Sequence, residues 1–349
     1  MARQVTHRYV DPLAQVWIGA ARRIGLSVVR TADAYATTDG RGTLALGDDA
    51  TLDADDSLGQ MIFHELCHSL VEGEDSFARP DWGMDWGMDS TEDAQDWREH
   101  ACLRAQWVLA GRHGLRAVFA PTTDYRAFWD GLSGDVLADR SDRSVVAAIA
   151  AIRRAEHPPW APALGEALAA TARIAAEAAR FAGAAAPADP GAPTLWRGVA
   201  PTPAPHPTGL PAGDADATCA TCAWRRDHRG GARCRQADAN VDPAWRACER
   251  YEPALDCQAC GACCRAAYHS VEVARRDPVV RAQPAYIEDR GAYLELRRAG
   301  DRCAALLGGT AEEPRYRCAI YEDRPRTCRD FTLGSAHCLT ARRRVGLSL

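Results

Sequence analysis

The chain has 349 residues, 47% hydrophobic and 26% charged, with a formal net charge of -5. That length allows two or more domains with their own cores, and the slight acidity gives no reason to expect nucleic acid as a partner. All 42 basic residues are arginine, which excludes a lysine Schiff base, a lysine general base and a Walker-type phosphate loop on this chain. Fourteen cysteines would suit a secreted disulfide scaffold. However, Met1 to Arg8 carry no apolar signal core, and no apolar run reaches the roughly 20 residues that span a bilayer. All but two of the cysteines follow position 218 in closely spaced sets, which read as metal sites in a reducing compartment. The chain is expected to be cytoplasmic, with no membrane contact.

In chain order, residues 9–24 carry apolar positions at helical spacing after an Asp-Pro start. Three β-like runs follow, Leu26 to Val29, Ala34 to Thr37 and Thr43 to Leu46, with Asp39-Gly40 as a hairpin turn. Asp55, Asp56 and Ser57 offer N-caps for a helix through Val71, which Glu72-Gly73 ends. The expectation is an α+β arrangement of a helix, a small antiparallel sheet and a second helix bearing His64-Glu65-Leu66-Cys67-His68.

Residues i and i+4 share a helix face, so His64 and His68 can hold one zinc ion, with Glu65 beside it to take a proton from water. Roughly residues 1–130, within a domain over 1–158, resemble the small glutamate-ligand zincin metallopeptidases. The extended HExxHxxGxxH pattern is absent, so a third ligand is sought on the next helix, about 92–110. Glu92 and Asp96 resemble the Glu-xxx-Asp of larger glutamate zincins. Helical register does not separate Glu99 from His100, and the resemblance favours a carboxylate, Glu99. Cys67 and Cys102 read as small buried residues. The tandem Asp-Trp-Gly-Met at 81–88 lies on a loop whose tryptophans either line a substrate groove or cover the core.

Residues 124–184 read as helical throughout, with 159–184 the strongest helix former, and 185–217 as a Pro/Gly-rich linker. A module over 218–254 contains Cys219, Cys222, Cys234 and Cys248, too short for a core without a metal or cluster. It resembles the small high-potential-iron-protein-like modules found beside glycyl-radical enzymes.

Residues 255–349 carry Cys257-Gln-Ala-Cys260-Gly-Ala-Cys263-Cys264, then Cys303, Cys318, Cys328 and Cys338. Cys318-Ala-Ile-Tyr-Glu-Asp-Arg-Pro-Arg-Thr-Cys328-Arg-Asp-Phe331 completes the pattern. In these motifs the segment resembles the YkgJ-type cysteine-cluster family, described as a zinc- or iron-chelating domain, to which the flagellin lysine N-methylases are also similar. The eight thiols supply two four-thiolate sites, or one cluster plus structural thiols. The adjacent pair points in different directions, so one of Cys263 and Cys264 is expected to join the downstream four. Arg324, Arg326 and Arg329 can offset an anionic cluster, and His269 and His337 are substitute ligands to be tested.

The leading expectation is a zinc-dependent peptidase-like domain, acting on a protein or peptide, fused to cysteine modules that hold an iron–sulfur cluster or additional zinc or iron. The alternative makes the cysteine modules the working part, chelating or modifying, with the zincin-like domain a non-proteolytic scaffold.

Overall fold

The computed structural model describes residues 9–49, 51–52, 56–84, 92–182, 195–213, 216–310 and 312–349. The chain divides into two units, Met1–Pro203 and Ala204–Leu349. In the first unit, α1 (Pro12–Ile24) starts where the Asp11 carboxylate accepts the Leu13 and Ala14 backbone N–H groups. Its inner face centres on Trp17, fully buried, whose ring meets Phe63 at 4.9 Å and Phe119 at 5.4 Å between centroids.

The sheet that follows joins β1 (Ser27–Thr31), β2 (Ala36–Thr38) and β3 (Thr43–Gly47) in the order β1-β3-β2. It is mixed, not antiparallel as expected. β1 runs parallel to β3, from Ser27↔Thr43 to Thr31↔Gly47, and only β2 and β3 form a hairpin. The hairpin turn is local chemistry: Asp39 Oδ1 accepts the N–H groups of Arg41 and Thr43. The pairing with β1 comes instead from burial, since Leu44 and Leu46 have no exposed surface and β3 takes the centre.

α2 (Leu58–Glu72) opens on a reciprocal capping box between Ser57 and Gln60. It is buried almost all round, and the Arg154 guanidinium donates to its last carbonyls, Leu70 O and Val71 O. α3 (Glu92–Gly111) packs across it, and Ser90 and Thr91, which the sequence offers as its N-caps, lie outside the described residues. The 124–184 stretch is not one continuous helical run; it forms α4 (Arg126–Gly131), α5 (Arg143–Arg154) and α6 (Ala163–Ala182). Asp135, Asp139 and Asp142 each accept an N–H two residues on, holding turns where a helix would need those amides. Pro158, Pro159 and Pro162 have no N–H to continue a ladder.

The second unit has far less regular structure. β4 (Arg225–His228), β5 (Gly231–Cys234) and β6 (Ala239–Val241) form one antiparallel sheet. α7 (Cys257–Cys260) follows, and then β7 (Glu272–Val273), α8 (Pro278–Ala282), β8 (Ile287–Asp289) and β9 (Leu294–Leu296). β10 (Arg298–Ala299) pairs with β11 (Arg302–Cys303), and β12 (Leu306–Leu307) with β13 (Arg317–Cys318). α9 (Arg326–Arg329) and α10 (Ala336–Arg344) close the unit. Leu339 of α10 packs with Trp224 and Val241, and Arg342 joins Glu252, Ser348 and the carbonyl of Leu347 in a buried polar network. The segment 218–254 thus shares a core with the chain's last helix. No helix among the described residues is long and apolar enough to cross a membrane.

Candidate metal centres

One turn of α2 separates His64 from His68 and puts both Nε2 atoms on one side, 3.0 Å apart. Glu99, from the middle of α3, completes a triangle: its Oε1 lies 3.4 Å from His64 Nε2 and its Oε2 3.2 Å from His68 Nε2. Ligands about 2.05 Å from a tetrahedral zinc ion stand about 3.3 Å apart. The two ring nitrogens and the two carboxylate oxygens facing them already have about that spacing. His100 is turned away and stacks on Phe128, with ring centroids 4.0 Å apart. The Glu92 side chain lies outside the described residues, and Asp96 accepts from the Tyr125 hydroxyl.

Charge at the triangle is finely balanced. Burial pushes the His68 imidazole down, but Glu99 beside it, with Glu65 and Glu72, more than offsets this and lifts it to about 9. Burial likewise pushes Glu99 up, and His64 and His68 overcome it, drawing the carboxyl down to about 2. In the metal-free chain a proton on His68 therefore does the work that a cation would do. Nδ1 of His68 is buried with no hydrogen-bond partner, whereas Nδ1 of His64 lies 3.0 Å from Gln106 Oε1. That contact leaves Nε2 of His64 free for a metal, an arrangement typical of ligating histidines.

Three residues have roles at this site that the sequence does not assign, although Trp82 stands out there as one of the repeat's tryptophans. Gln106 is one of them: it follows Glu99 by seven residues on the same face of α3, and that spacing was a legible signal. Trp82 is another. Asp81 and Trp82 both have positive φ, 47° and 58°, a rare conformation that swings the indole inward to donate to Glu65 Oε2 at 2.9 Å. Trp82 is buried and holds the glutamate, while its repeat partner Trp86 lies outside the described residues. Tyr125 lines the cleft, its phenol pushed up to about 12 by burial and the nearby Glu99 and Asp96 carboxylates. The cleft itself measures about 460 Å³ and is bounded by the edge strand β2, Met84, Phe119 and Tyr125. Cys102 lies on the Nδ1 side of His64, at 3.8 Å, and burial together with Cys67 keeps its thiol protonated. Both cysteines are fully buried, in keeping with a packing role.

In the second unit, Cys219, Cys222, Cys234 and Cys248 line one recess. Burial, followed by the charge of neighbouring thiols, pushes Cys219 up to about 11 and Cys248 to about 12. Thiolates packed this closely are penalised unless a cation joins them. His206 also lines the recess, its Nε2 3.3 Å from Cys219 Sγ. The Thr208 backbone N–H donates to Nδ1, so the ring proton sits on Nε2 and is aimed at the sulfur. Proline-rich composition had concealed this residue in the expected linker. Residues 204–213 instead fold onto the module, with Gly213 N–H donating to Ala247 O.

The other eight thiols form two groups. Cys257, Cys260, Cys263 and Cys338 line one recess with Gly261 and Phe331. Cys264, Cys318 and Cys328 pack against the buried core that contains Cys303. Gly261, at φ 57°, makes the turn, and a Cβ there would meet the Tyr316 ring at 2.8 Å. Burial pushes up Cys257, Cys303, Cys318, Cys328 and Cys338, whereas a hydrogen bond from Cys264 draws Cys263 down to about 7. His269 and His337 are exposed, and neither recess includes them. Arg326 pairs with Asp330, and Arg329 donates to Arg324 O; of the three arginines expected to offset cluster charge, Arg324 acts on thiols, partly offsetting the rise of Cys318 and Cys328.

Residues 256–343 match the family model CxxCxxCC, "Putative zinc- or iron-chelating domain". The match supports metal binding. It spans about a quarter of the chain and stops short of the His64 site and the Cys219 module. No curated protein and no solved structure matches the chain.

Proposed function

We propose that the first unit is a zinc-dependent hydrolase of peptide bonds and that the second holds zinc or iron on its cysteines. The observation that carries the first half is the triangle of His64 Nε2, His68 Nε2 and the Glu99 carboxylate, with sides of 3.0 to 3.4 Å. It sits in a cleft that also holds Glu65, a carboxylate that is not part of the triangle. The three side chains would hold the ion, and Gln106 would keep His64 in the tautomer that binds it. When bound, zinc supplies a Lewis acid that polarises a carbonyl and acidifies water.

Glu65 is then the group that takes the proton from water and returns it to the leaving amine. The Trp82 indole occupies only Oε2, which fixes the carboxylate and leaves Oε1 for that transfer. Tyr125, kept neutral, stands on the cleft wall, and its O–H must turn from Asp96 to meet charge developing on the carbonyl oxygen. Tyr35 to Thr38, including the edge strand β2, line the cleft and suit an extended peptide.

The test is hydrolysis of a mixed peptide pool by the zinc-loaded chain and its E65Q variant. The variant should keep its zinc and lose roughly 10²- to 10⁴-fold in rate. Full activity in E65Q would remove the mechanism. If the parent shows no hydrolysis with zinc seated at His64 and His68, the alternative reading gains: the first unit is a scaffold and the cysteine segment does the work.

A further inference from the structure

The geometry points to two neighbouring iron–sulfur centres within residues 256–343, one on Cys257, Cys260, Cys263 and Cys338, the other on Cys264, Cys303, Cys318 and Cys328. This assignment rests on the metal-binding reading of that segment and adds the number of centres, their kind and their division of the thiols.

The division follows from where each sulfur lies. Asp256 caps α7 by accepting the Gln258 N–H, Gly261 reverses the chain at positive φ, and a short 3-10 turn over Ala262–Cys264 follows. The turn sends Cys263 into the recess shared with Cys257, Cys260 and Cys338. Its neighbour Cys264, whose Sγ stays beside that of Cys263, packs onto the core that contains Cys303, with Cys318 and Cys328. α10 brings Cys338 back to the first group, so the downstream thiols divide three to one. Each group has four sulfurs and none of the eight is left over.

The kind of centre follows from spacing. Four thiolates on one tetrahedral ion, each about 2.3 Å from it, stand about 3.8 Å apart. Among the described residues, the group of three or more side chains placed to hold a single ion is His64, His68, Glu99 and Cys102, and none of these eight thiols belongs to it. Sulfurs set wider than a single ion requires, four to a group, suit a four-iron cluster, which takes one thiolate per iron. Such a cluster with its thiolates is anionic, and each group has arginine beside it. Arg342 lines the first recess, and Arg298 pairs with Cys303 across β10 and β11.

The two groups touch. Cys263 Sγ and Cys264 Sγ are 3.8 Å apart, in consecutive residues. Two paramagnetic centres joined through such a pair interact magnetically.

The experiment is anaerobic reconstitution of the full chain with iron and sulfide, followed by metal and sulfide counts and electron paramagnetic resonance after dithionite reduction. The parent is compared with C257S/C260S, C303S/C328S and the four-fold variant. Each double variant should lose about four irons, and the four-fold variant the sum. The reduced parent should show a broadened, spin-coupled spectrum that either double variant simplifies. The spectrum of the unaltered chain alone keeps the proposal testable should a variant fail to fold. Equal, complete loss from either pair would overturn it in favour of one shared centre, as would an uncoupled parent spectrum. Zinc retained in place of iron would overturn the iron–sulfur assignment. An absence of any metal on these eight cysteines would overturn the metal-binding reading itself.

Discussion

The two units build metal sites in opposite ways. In the first, the donors stand on α2 and α3, two helices held by a large apolar core around Trp17, Phe63 and Phe119. The site is an addition to a scaffold that already buries enough surface to fold. In the second, most of the thiols sit on turns, short strands and four-residue helices, around a core of a few residues such as Val279, Leu294 and Ile320. There the donors are themselves much of the buried material. A preformed scaffold can hold donors at ion-binding distance without the ion, whereas a thiol-built core needs metal to relieve the repulsion it creates.

The largest effect expected from this contrast is on folding. Stripping the chain with chelator and reductant should abolish amide protection around Trp224 and Ile320 and leave it intact around Trp17 and Leu66. Structural thiolate sites contribute about 10–16 kcal/mol, more than a small core can replace. Hydrogen exchange resolved along the sequence checks this. Protection persisting at Trp224 in the stripped chain would erase the distinction between the units.

The next effect separates donor from base within the first unit. H68A should lose the zinc and all hydrolysis, while E65Q should lose only the hydrolysis. Because the scaffold is preformed, H68A should still melt cooperatively in this unit, as read by exchange at Leu66. A smaller effect is expected at Gln106, which touches Nδ1 of His64, away from the ligating Nε2, and the Phe119 carbonyl. Q106A should weaken zinc binding about 10- to 100-fold by releasing the ring. An unchanged affinity would mean that helix packing alone orients His64.

How much of this was readable beforehand differs between the units for the same reason. His64, Glu65 and His68 are a local helical pattern, and the α2 caps were written in Ser57 and Gly73. Local register could not decide between Glu99 and His100, since that depends on how α3 crosses α2. The parallel pairing of β1 with β3 was hidden as well, because it depends on the burial of Leu44 and Leu46 rather than on any turn. In the second unit the cysteines were plain, but which thiol meets which depends on long-range chain return. Cys338 rejoins Cys257 through α10, and His206 reaches Cys219 from a stretch whose prolines suggested only a linker. Trp82 was visible as half of a repeat, yet its hold on Glu65 needs two positive φ angles that the sequence does not announce.

The smallest effect is a proton count, and it tests whether the first site is poised without its ion. His68, raised to about 9 in the metal-free chain, carries a proton at neutral pH, and Glu99, lowered to about 2, carries none. The stability from the raised histidine is fully present below its ordinary value near 6.5 and is lost as pH rises through about 9. That from the depressed carboxylate is present above about 4.5 and is lost as pH falls through about 2. Between roughly 4.5 and 6.5 both contributions are fully present. Zinc needs the neutral imidazole, so binding at pH 7 to 8 must expel the His68 proton, and binding above pH 9 need not. Calorimetric titration of this site, with the cysteine centres already filled, in buffers of different ionisation enthalpy should give about one more proton released from His68 at pH 7.5 than at pH 9.5. A proton count that does not change across that range would mean that His68 is neutral in the empty site and that Glu99 is held by helix packing rather than by charge.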